Sequence, residues 1–216
     1  EWWAGLFKEL ISDFGVKGVW NDMNEPAVME VPGKTFPMDV RHDYDGNPCS
    51  HRKAHNIYGT QMARATYHGI KRFSHHKRPF VITRSAYSGA QRYTSSWTGD
   101  NVASWEHLWI ANIQVQRMSI SGMGFTGSDI GGFAEQPTGE LYARWIQLGV
   151  FHPFCRTHSS GDHGDQEPWS FDDEVIDITR KFVEMRYQLL PYLYTMFWEY
   201  INDGVPMLKP LVYFDQ

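Results

Sequence analysis

The stretch that decides the fold is Val16-Lys17-Gly18-Val19-Trp20-Asn21-Asp22-Met23-Asn24-Glu25-Pro26. Its first half is a short apolar run, and the run ends abruptly in amides and acids. Such a pattern reads as a buried strand whose polar end leaves the sheet. Upstream, Trp3, Leu6, Phe7, Leu10, Ile11 and Phe14 recur at helical spacing, and Gly15 suits the position just past a helix end. Downstream, a loop rich in Pro, Gly and Asp runs from Pro26 to Ser50. It is too long for a plain connector, and loops of that length usually carry function or specificity. A helix is then predicted from near His51 to Phe73.

The alternation of strand and helix continues along the chain. The run Pro79 to Thr83 reads as a strand ending at Arg84-Ser85, and after the loop Ser88 to Gln91 the segment Ser95 to Asp100 reads as another. Ser104 is placed to cap a helix reaching about Ser119. Met123 to Thr126 reads as a strand leading to Asp129, with Ile130-Gly131-Gly132-Phe133 as a tight turn. Thr138 caps a helix through Leu148, and Val150 to Phe154 reads as a strand that ends in Arg156-Thr157-His158. A long helix is expected from roughly Asp173 to Asn202, interrupted near Pro191. Pro210 to Phe214 offers one more strand.

Strands alternating with helices predict a parallel sheet. The polar residues Asp22, Arg84, Asp100, Asp129 and His158 then stand at successive C-terminal strand ends. In a (β/α)8 barrel those ends form the active face. An open doubly wound sheet is the rival, but no glycine fingerprint for a phosphate is present. The expected fold class is therefore α/β, a (β/α)8 TIM barrel. Fewer strands are visible than the eight a barrel needs, so the chain is expected to cover about strands 4 to 8. On this reading residues 1–216 are the C-terminal portion of a single catalytic barrel, with earlier strands and flanking β domains lying outside the chain. A first residue that is Glu rather than Met fits that expectation.

Composition narrows the function classes. The chain is 42% hydrophobic and 15% aromatic, with 9 Trp, 11 Tyr and 13 Phe, which fits a globular domain whose aromatics serve both the core and sugar stacking. A formal charge of −5 with scattered Lys and Arg leaves no basic footprint for nucleic acid. No apolar stretch approaches the ~20 residues of a membrane-spanning helix, and no signal-peptide pattern occurs. The run His75-His76-Lys77-Arg78 reads as a solvated turn. Cys49 and Cys155 define neither a metal spacing nor a disulfide framework. His51 and His55 have i, i+4 spacing, but Arg52-Lys53 lies between them and the zincin Glu is missing, so neither a metal nor a cofactor is implied. Compartment and oligomeric state stay open.

Two carboxylates carry the chemistry. Asp22 follows Trp20, and Asp100 closes Trp97-Thr98-Gly99-Asp100. Glycoside hydrolysis needs such a pair, one acid as nucleophile or base and one as proton donor, with aromatic walls for the sugar. The plainer alternatives are a helix N-cap for Asp22 and a turn residue for Asp100.

These residues resemble glycoside hydrolase family 31, most closely its α-glucosidases of the glucosidase II type. The resemblance rests on five motifs in the family's order: Trp-x-Asp-Met-Asn-Glu at Trp20 to Glu25, Arg-Ser at Arg84-Ser85, Trp-Thr-Gly-Asp at Trp97 to Asp100, Asp-x-Gly-Gly-Phe at Asp129 to Phe133, and Arg-x-His at Arg156 to His158. It covers about Val16 to Trp169. It implies a (β/α)8 catalytic domain, a retaining mechanism and an α-linked oligosaccharide or small α-glycoside as substrate. It also implies that Asp22 forms a covalent glycosyl ester and that Asp100 protonates the leaving oxygen and then deprotonates water. A retaining pair holds its carboxyls roughly 5–5.5 Å apart. Arg84 is expected to keep Asp22 ionised, and the charge on Asp22 together with a dry site to raise the pKa of Asp100. Arg84, Asp129 and His158 are expected to hold sugar hydroxyls or orient the acids, with Trp20, Met23, Trp97 and Phe133 completing the substrate-binding set. Glu25 and Arg156 are expected to be supporting residues, although Arg156 and Asp129 read equally well as a structural ion pair. Other readings stay open at this point: a relative acting on α-xylosides or α-galactosides, a transglycosylase or lyase of the family, a β-glycanase using Glu25, or a catalytically dead carbohydrate-binding module.

Overall fold

A computed structural model describes residues 1–75 and 77–214. His76, in the run expected to be a solvated turn, lies outside the described residues. The chain folds as two compact units, one from Glu1 to Ser96 and one from Trp97 onward.

The first unit opens with α1 (Trp2–Gly5) and α2 (Lys8–Ser12) in place of the single helix expected. At Leu6 and Phe7 the backbone N–H groups turn to the carbonyls of Trp3 and Ala4, three residues back. The break follows Gly5, a poor helix former. Phe7 and Ile11 still face inward, and Gly15 adopts φ +69° just beyond the helix end. β1 (Gly18–Asn21) follows, and its parallel partner is β4 (Phe80–Thr83), with Gly18 opposite Phe80 and Asn21 opposite Thr83. Between them the long loop contains an unforeseen antiparallel ribbon, β2 (Arg41–His42) with β3 (Cys49–Ser50). α3 (His51–Phe73) spans the range expected. It buries Ala54, Gly59, Ala63, Thr66, Gly69 and Ile70, and the cluster Phe7, Ile11, Ala63, Ile70 and Val81 ties helix to strand. Gly59 matters because a Cβ there would lie 2.6 Å from the Ser85 carbonyl, so only glycine lets α3 approach the end of β4.

The strand expected from Ser95 to Asp100 does not form. Ser95 alone bridges Ile82, and the hydroxyls of Thr94 and Ser96 take the strand carbonyls of Val81 and Thr83. Side-chain bonds of this kind offer an alternative to the ladder.

In the second unit, α4 (Trp105–Ile120) and α5 (Gly139–Gly149) begin at the expected caps: the Ser104 hydroxyl accepts from the His107 N–H and the Thr138 hydroxyl from the Leu141 N–H. The strands differ from expectation. β5 (Asp129–Ile130) and β6 (Arg156–Thr157) pair in parallel, each two residues long. Met123 to Thr126 forms no ladder; a single backbone bond, from the Phe154 N–H to the Thr126 carbonyl at 3.1 Å, joins it to the later segment, and a Cβ on Gly127 would collide with the Phe154 carbonyl. Val150 to Phe154 is a turn, whose carbonyls at Val150, His152 and Pro153 accept from Arg186. α6 (Asp173–Asp203) runs unbroken through Pro191. Pro191 is exposed, and the cost of about 3 kcal/mol for an interior proline is spread over a helix capped by Asp172 and closed by Gly204 at φ +71°. Pro210 to Phe214 holds a 3-10 turn, Leu211–Tyr213, rather than a strand.

The core of this unit is Ala111, Ile130, Leu141, Tyr142, Trp145, Ile146, Val150 and Val175. Each fully buried aliphatic side chain contributes roughly 1.5–3 kcal/mol. Trp145 also donates to the Ser128 hydroxyl at 3.0 Å, fixing the approach to Asp129.

Candidate active site

Within the first unit, the end of β1 carries the acids. Asn21 is buried as the last strand residue, Asp22 is the first beyond it and exposed, and Met23 turns the chain at φ +56°. Asn24 is almost fully buried. Its amide donates to the Thr83 hydroxyl at 2.8 Å and its carbonyl accepts from the Ser85 N–H at 3.0 Å, so it pins the exit of β1 to the exit of β4. The Arg84 N–H adds a bond to the Asn21 carbonyl at 3.0 Å.

Arg84 meets both acids, Glu25 more closely than Asp22. Its Nε donates to Oε1 at 2.7 Å and an Nη to Oε2 at 2.9 Å. Asp22 Oδ1 stands 3.6 Å from the same Nε. The two bonds follow from geometry, because a guanidinium fork matches one carboxylate in the plane and leaves its edge to a second. The Arg84 hydrogen bonds hold the Glu25 carboxyl below the usual carboxylate range, with partial burial opposing them. Trp20 and Met23 flank this end with exposed side chains.

Within the second unit, Trp97 is buried, and Asp100 sits exposed after Gly99, whose φ is +83°. Asp100 thus occupies a turn rather than a strand end. Asn101, buried, organises that turn: its side-chain oxygen accepts from the Thr98 hydroxyl at 2.6 Å, and its carbonyl accepts from the N–H groups of Phe133 and Ala134. Asp129 is closed to solvent and takes a 2.8 Å bond from Arg156. Burial pushes its carboxyl up to about 6, against the pull of Arg156 and of the Trp97 side chain, and the negative charge of Asp100 adds to the rise. The Arg156 guanidinium lies over the rings of Phe154 and Trp97, 5.2 and 5.5 Å from their centroids. The rings of Phe133 and His158 meet at a tilt of 33° with centroids 5.3 Å apart.

The structure therefore gathers Asp22, Glu25 and Arg84 in one unit, and Trp97, Asp100, Asp129 and Arg156 with the Phe133–His158 pair in the other. Sequence reasoning passed over Asn24, inside the first motif and beside Glu25, and Asn101, which directly follows Asp100. His51, weighed there only as one of an i, i+4 pair with His55, is buried, meets His42 at 2.9 Å and the Thr35 hydroxyl at 3.1 Å, and anchors the long loop to α3. Burial lowers the His51 pKa, and His42 and His55 add to the effect. Among the described residues no three His, Cys, Asp or Glu side chains are grouped to hold a metal. A cavity of about 300 Å³ opens beside His158, lined by Tyr142, Thr157, Ser159, Gln166 and Glu167.

Residues 1–196 match the Glycosyl hydrolases family 31 TIM-barrel domain. The chain belongs to glycoside hydrolase family 31. The match extends beyond the stretch from Val16 to Trp169 that carries the motifs. Alpha-glucosidase 2 of Bacillus thermoamyloliquefaciens is 45% identical over 213 residues, which are 99% of this chain and 27% of that protein. The Glucosidase 2 subunit alpha of Saccharomyces cerevisiae is 44% identical over 95% of this chain and 21% of its own length. A crystal structure of a Tris-bound glucosidase II alpha subunit superposes with a TM-score of 0.90 at 39% identity, covering 99% of this chain and 23% of that one. This family 31 chain thus spans about a quarter of the length of these relatives. Its mixed helices and short parallel strand pairs are those of the family's TIM-barrel domain.

Proposed function

We propose that this chain carries the catalytic acids of a retaining α-glucosidase that releases terminal α-linked glucose. The observation that supports this most is the division of labour at the end of β1: Arg84 occupies both oxygens of Glu25 and leaves Asp22 exposed. Of the two acids in Asp-Met-Asn-Glu, Asp22 is the one that Arg84 touches only at 3.6 Å, through one oxygen, and leaves exposed. That weighs against the β-glycanase reading, which needs Glu25 as its acid.

In this reading an Asp22 oxygen attacks the anomeric carbon as the bond to the leaving oxygen breaks, and Asp100 gives that oxygen its proton. Water then attacks the same carbon, Asp100 takes the water's proton, and the bond to Asp22 breaks. Arg84, with Glu25 supporting it, stabilises the Asp22 carboxylate. His158 and Asp129 bind sugar hydroxyls, Arg156 holds Asp129 in place, and Trp20, Met23, Trp97 and Phe133 wall the sugar. We further infer that the chain forms about strands 4 to 8 of one (β/α)8 barrel, which the family match and the parallel pairs β1–β4 and β5–β6 support. The substrate is an α-linked oligosaccharide or small α-glucoside, in keeping with the names of the relatives.

The test has two arms, both on the protein at its full natural length. Turnover of aryl α-glucosides should exceed that of the α-xylosides, α-galactosides and β-glucosides. A 5-fluoroglucosyl inhibitor should label Asp22. A label on Glu25, or preference for another glycoside, overturns the corresponding part of the proposal.

A further inference from the structure

We propose that Gln166 is a positioning residue, a clamp that sets the spacing between the Asp129–Phe133 turn and His158; this rests on the glycosidase reading above. Gln166 lies in a loop without regular structure, whose residues Gly161 to Asp165 are exposed, yet it is itself only 4% exposed. Its amide Nε2 donates to the Gly132 carbonyl at 2.9 Å. A side-chain amide is expensive to bury, and this one spends its donor on the turn between Asp129 and Phe133.

The turn is built to receive it. Gly131 and Gly132 both adopt left-handed φ, near +90°. A Cβ on Gly131 would lie 2.5 Å from Gln166 Oε1, and one on Gly132 would lie 2.5 Å from the Ala103 backbone. The turn is thus gripped from both sides, and no larger residue fits either position. Two more bonds continue the contact: the Ser160 N–H donates to the Phe133 carbonyl at 2.9 Å, and the Gln136 amide to the Asp165 carbonyl at 2.8 Å. These three bonds tie residues 132–136 to residues 160–166, and the Phe133 and His158 rings meet between the same two segments. Asp129, at the head of the turn, is fixed by Arg156. A turn that slips moves Asp129 and Phe133 together, relative to His158.

The chemistry requires a donor at Gln166. An ionised Glu of the same size cannot bond the Gly132 carbonyl, whereas a protonated one can. In the protein at its full natural length, Gln166→Ala should lower kcat/KM on an aryl α-glucoside roughly 10- to 100-fold, as expected when binding groups are misplaced by about an ångström. The loss should fall on kcat with KM little changed, the mark of an interaction made in the transition state. Amide exchange should accelerate at Phe133, Ala134 and Ser160 while remaining unchanged in the core helices. Gln166→Glu keeps the volume, and so reports even if truncation unfolds the loop. It should lose activity like the Ala variant near neutral pH and recover, relative to wild type, as the pH falls into the carboxyl range. Variants indistinguishable from wild type, or a loss that tracks only the unfolded fraction without recovery of the Glu variant at low pH, overturn the clamp. An unmutated protein inactive on every α-glucoside would instead overturn the functional reading, and the local exchange at Phe133 and Ser160 would still decide the clamp.

Discussion

Two buried groups in the second unit should oppose each other in the pH dependence of stability, so that removing either one exposes the other. Asp129, pushed by burial from 3.8 to about 6, holds its proton in the folded chain over a range where the unfolded chain has lost it. Its favourable contribution is fully present below about pH 4 and is lost as the pH rises to about 6. His152 behaves in the opposite sense. It is buried beside Arg186, neither ring nitrogen has a hydrogen-bond partner among the described residues, and burial followed by that charge lowers it from 6.5 to about 4. The unfolded chain therefore binds the histidine proton first, and the contribution present above pH 6.5 is lost as the pH falls toward 4. Each displacement is worth about 3 kcal/mol by linkage. The windows overlap, so in the wild type the two slopes largely cancel between about pH 4 and 6. The perturbations are Asp129→Asn and His152→Leu, and the assay is urea unfolding across that range. Relative to wild type, the Asn variant should gain about 3 kcal/mol as the pH rises, because the opposing titration of Asp129 is gone; the Leu variant should lose about as much relative to wild type, because that of His152 is gone, while groups such as Glu25 and His51 contribute equally to all three proteins. Substitution also shifts stability by an offset common to every pH, from the broken Arg156 bond in one case and repacking in the other. The slope alone is therefore the test. Wild-type slopes in both variants would refute the burial argument for both groups.

Asp22→Ala should leave the unfolding transition in place and remove turnover by several powers of ten, roughly 10⁴-fold or more, measured on an aryl α-glucoside. Asp100→Ala should still form the glycosyl ester from substrates with good leaving groups, which need no proton, and azide should raise their turnover and yield an α-glycosyl azide; equal loss on all substrates with no azide effect would exclude Asp100 as acid/base. Asn24→Ala removes three bonds at a buried position and leaves the Ser85 N–H without its partner, so it should destabilise by about 2–4 kcal/mol in urea unfolding. Arg84→Lys, which cannot grip Glu25 with two parallel bonds, should lower kcat more than it raises KM.

What could be read from the sequence depended on how local the cause was. α3 came out with its observed ends because one amphipathic stripe specifies it, and α4 and α5 began at the caps expected because a hydroxyl three residues before a free N–H is a contact within one turn. The strands failed for the complementary reason. Their ladders are two to four residues long, too short to show a period, and their places are set by who lies alongside. Apolar runs at Met123 to Thr126 and Val150 to Phe154 look like strands, yet one passes close under a neighbouring carbonyl and the other gives its carbonyls to Arg186. No local pattern reports a partner more than thirty positions away.

The same distinction separates the acids from what holds them. Asp22 and Asp100 were visible because each falls in a short motif that opens on a tryptophan, Trp20 and Trp97. The partner of Arg84 was not, because its choice between Asp22 and Glu25 turns on which oxygens lie in the plane of the guanidinium once Asn24 has joined the two strand ends. That choice has a chemical consequence. An arginine shared evenly would have left two half-neutralised acids of similar character at the end of β1. By closing on Glu25 in two bonds and touching Asp22 only at 3.6 Å, Arg84 makes them unlike: one becomes a fixed counter-ion, and the other keeps the lone pairs that the proposed nucleophile needs. Glu25→Gln tests this reasoning, since it releases Arg84 to Asp22. A guanidinium bonded squarely to the nucleophile should stabilise its charge and slow its attack, so glycosylation should slow even for substrates with good leaving groups. An unchanged glycosylation rate in Glu25→Gln would show that the division of labour between the two acids does not depend on this arginine.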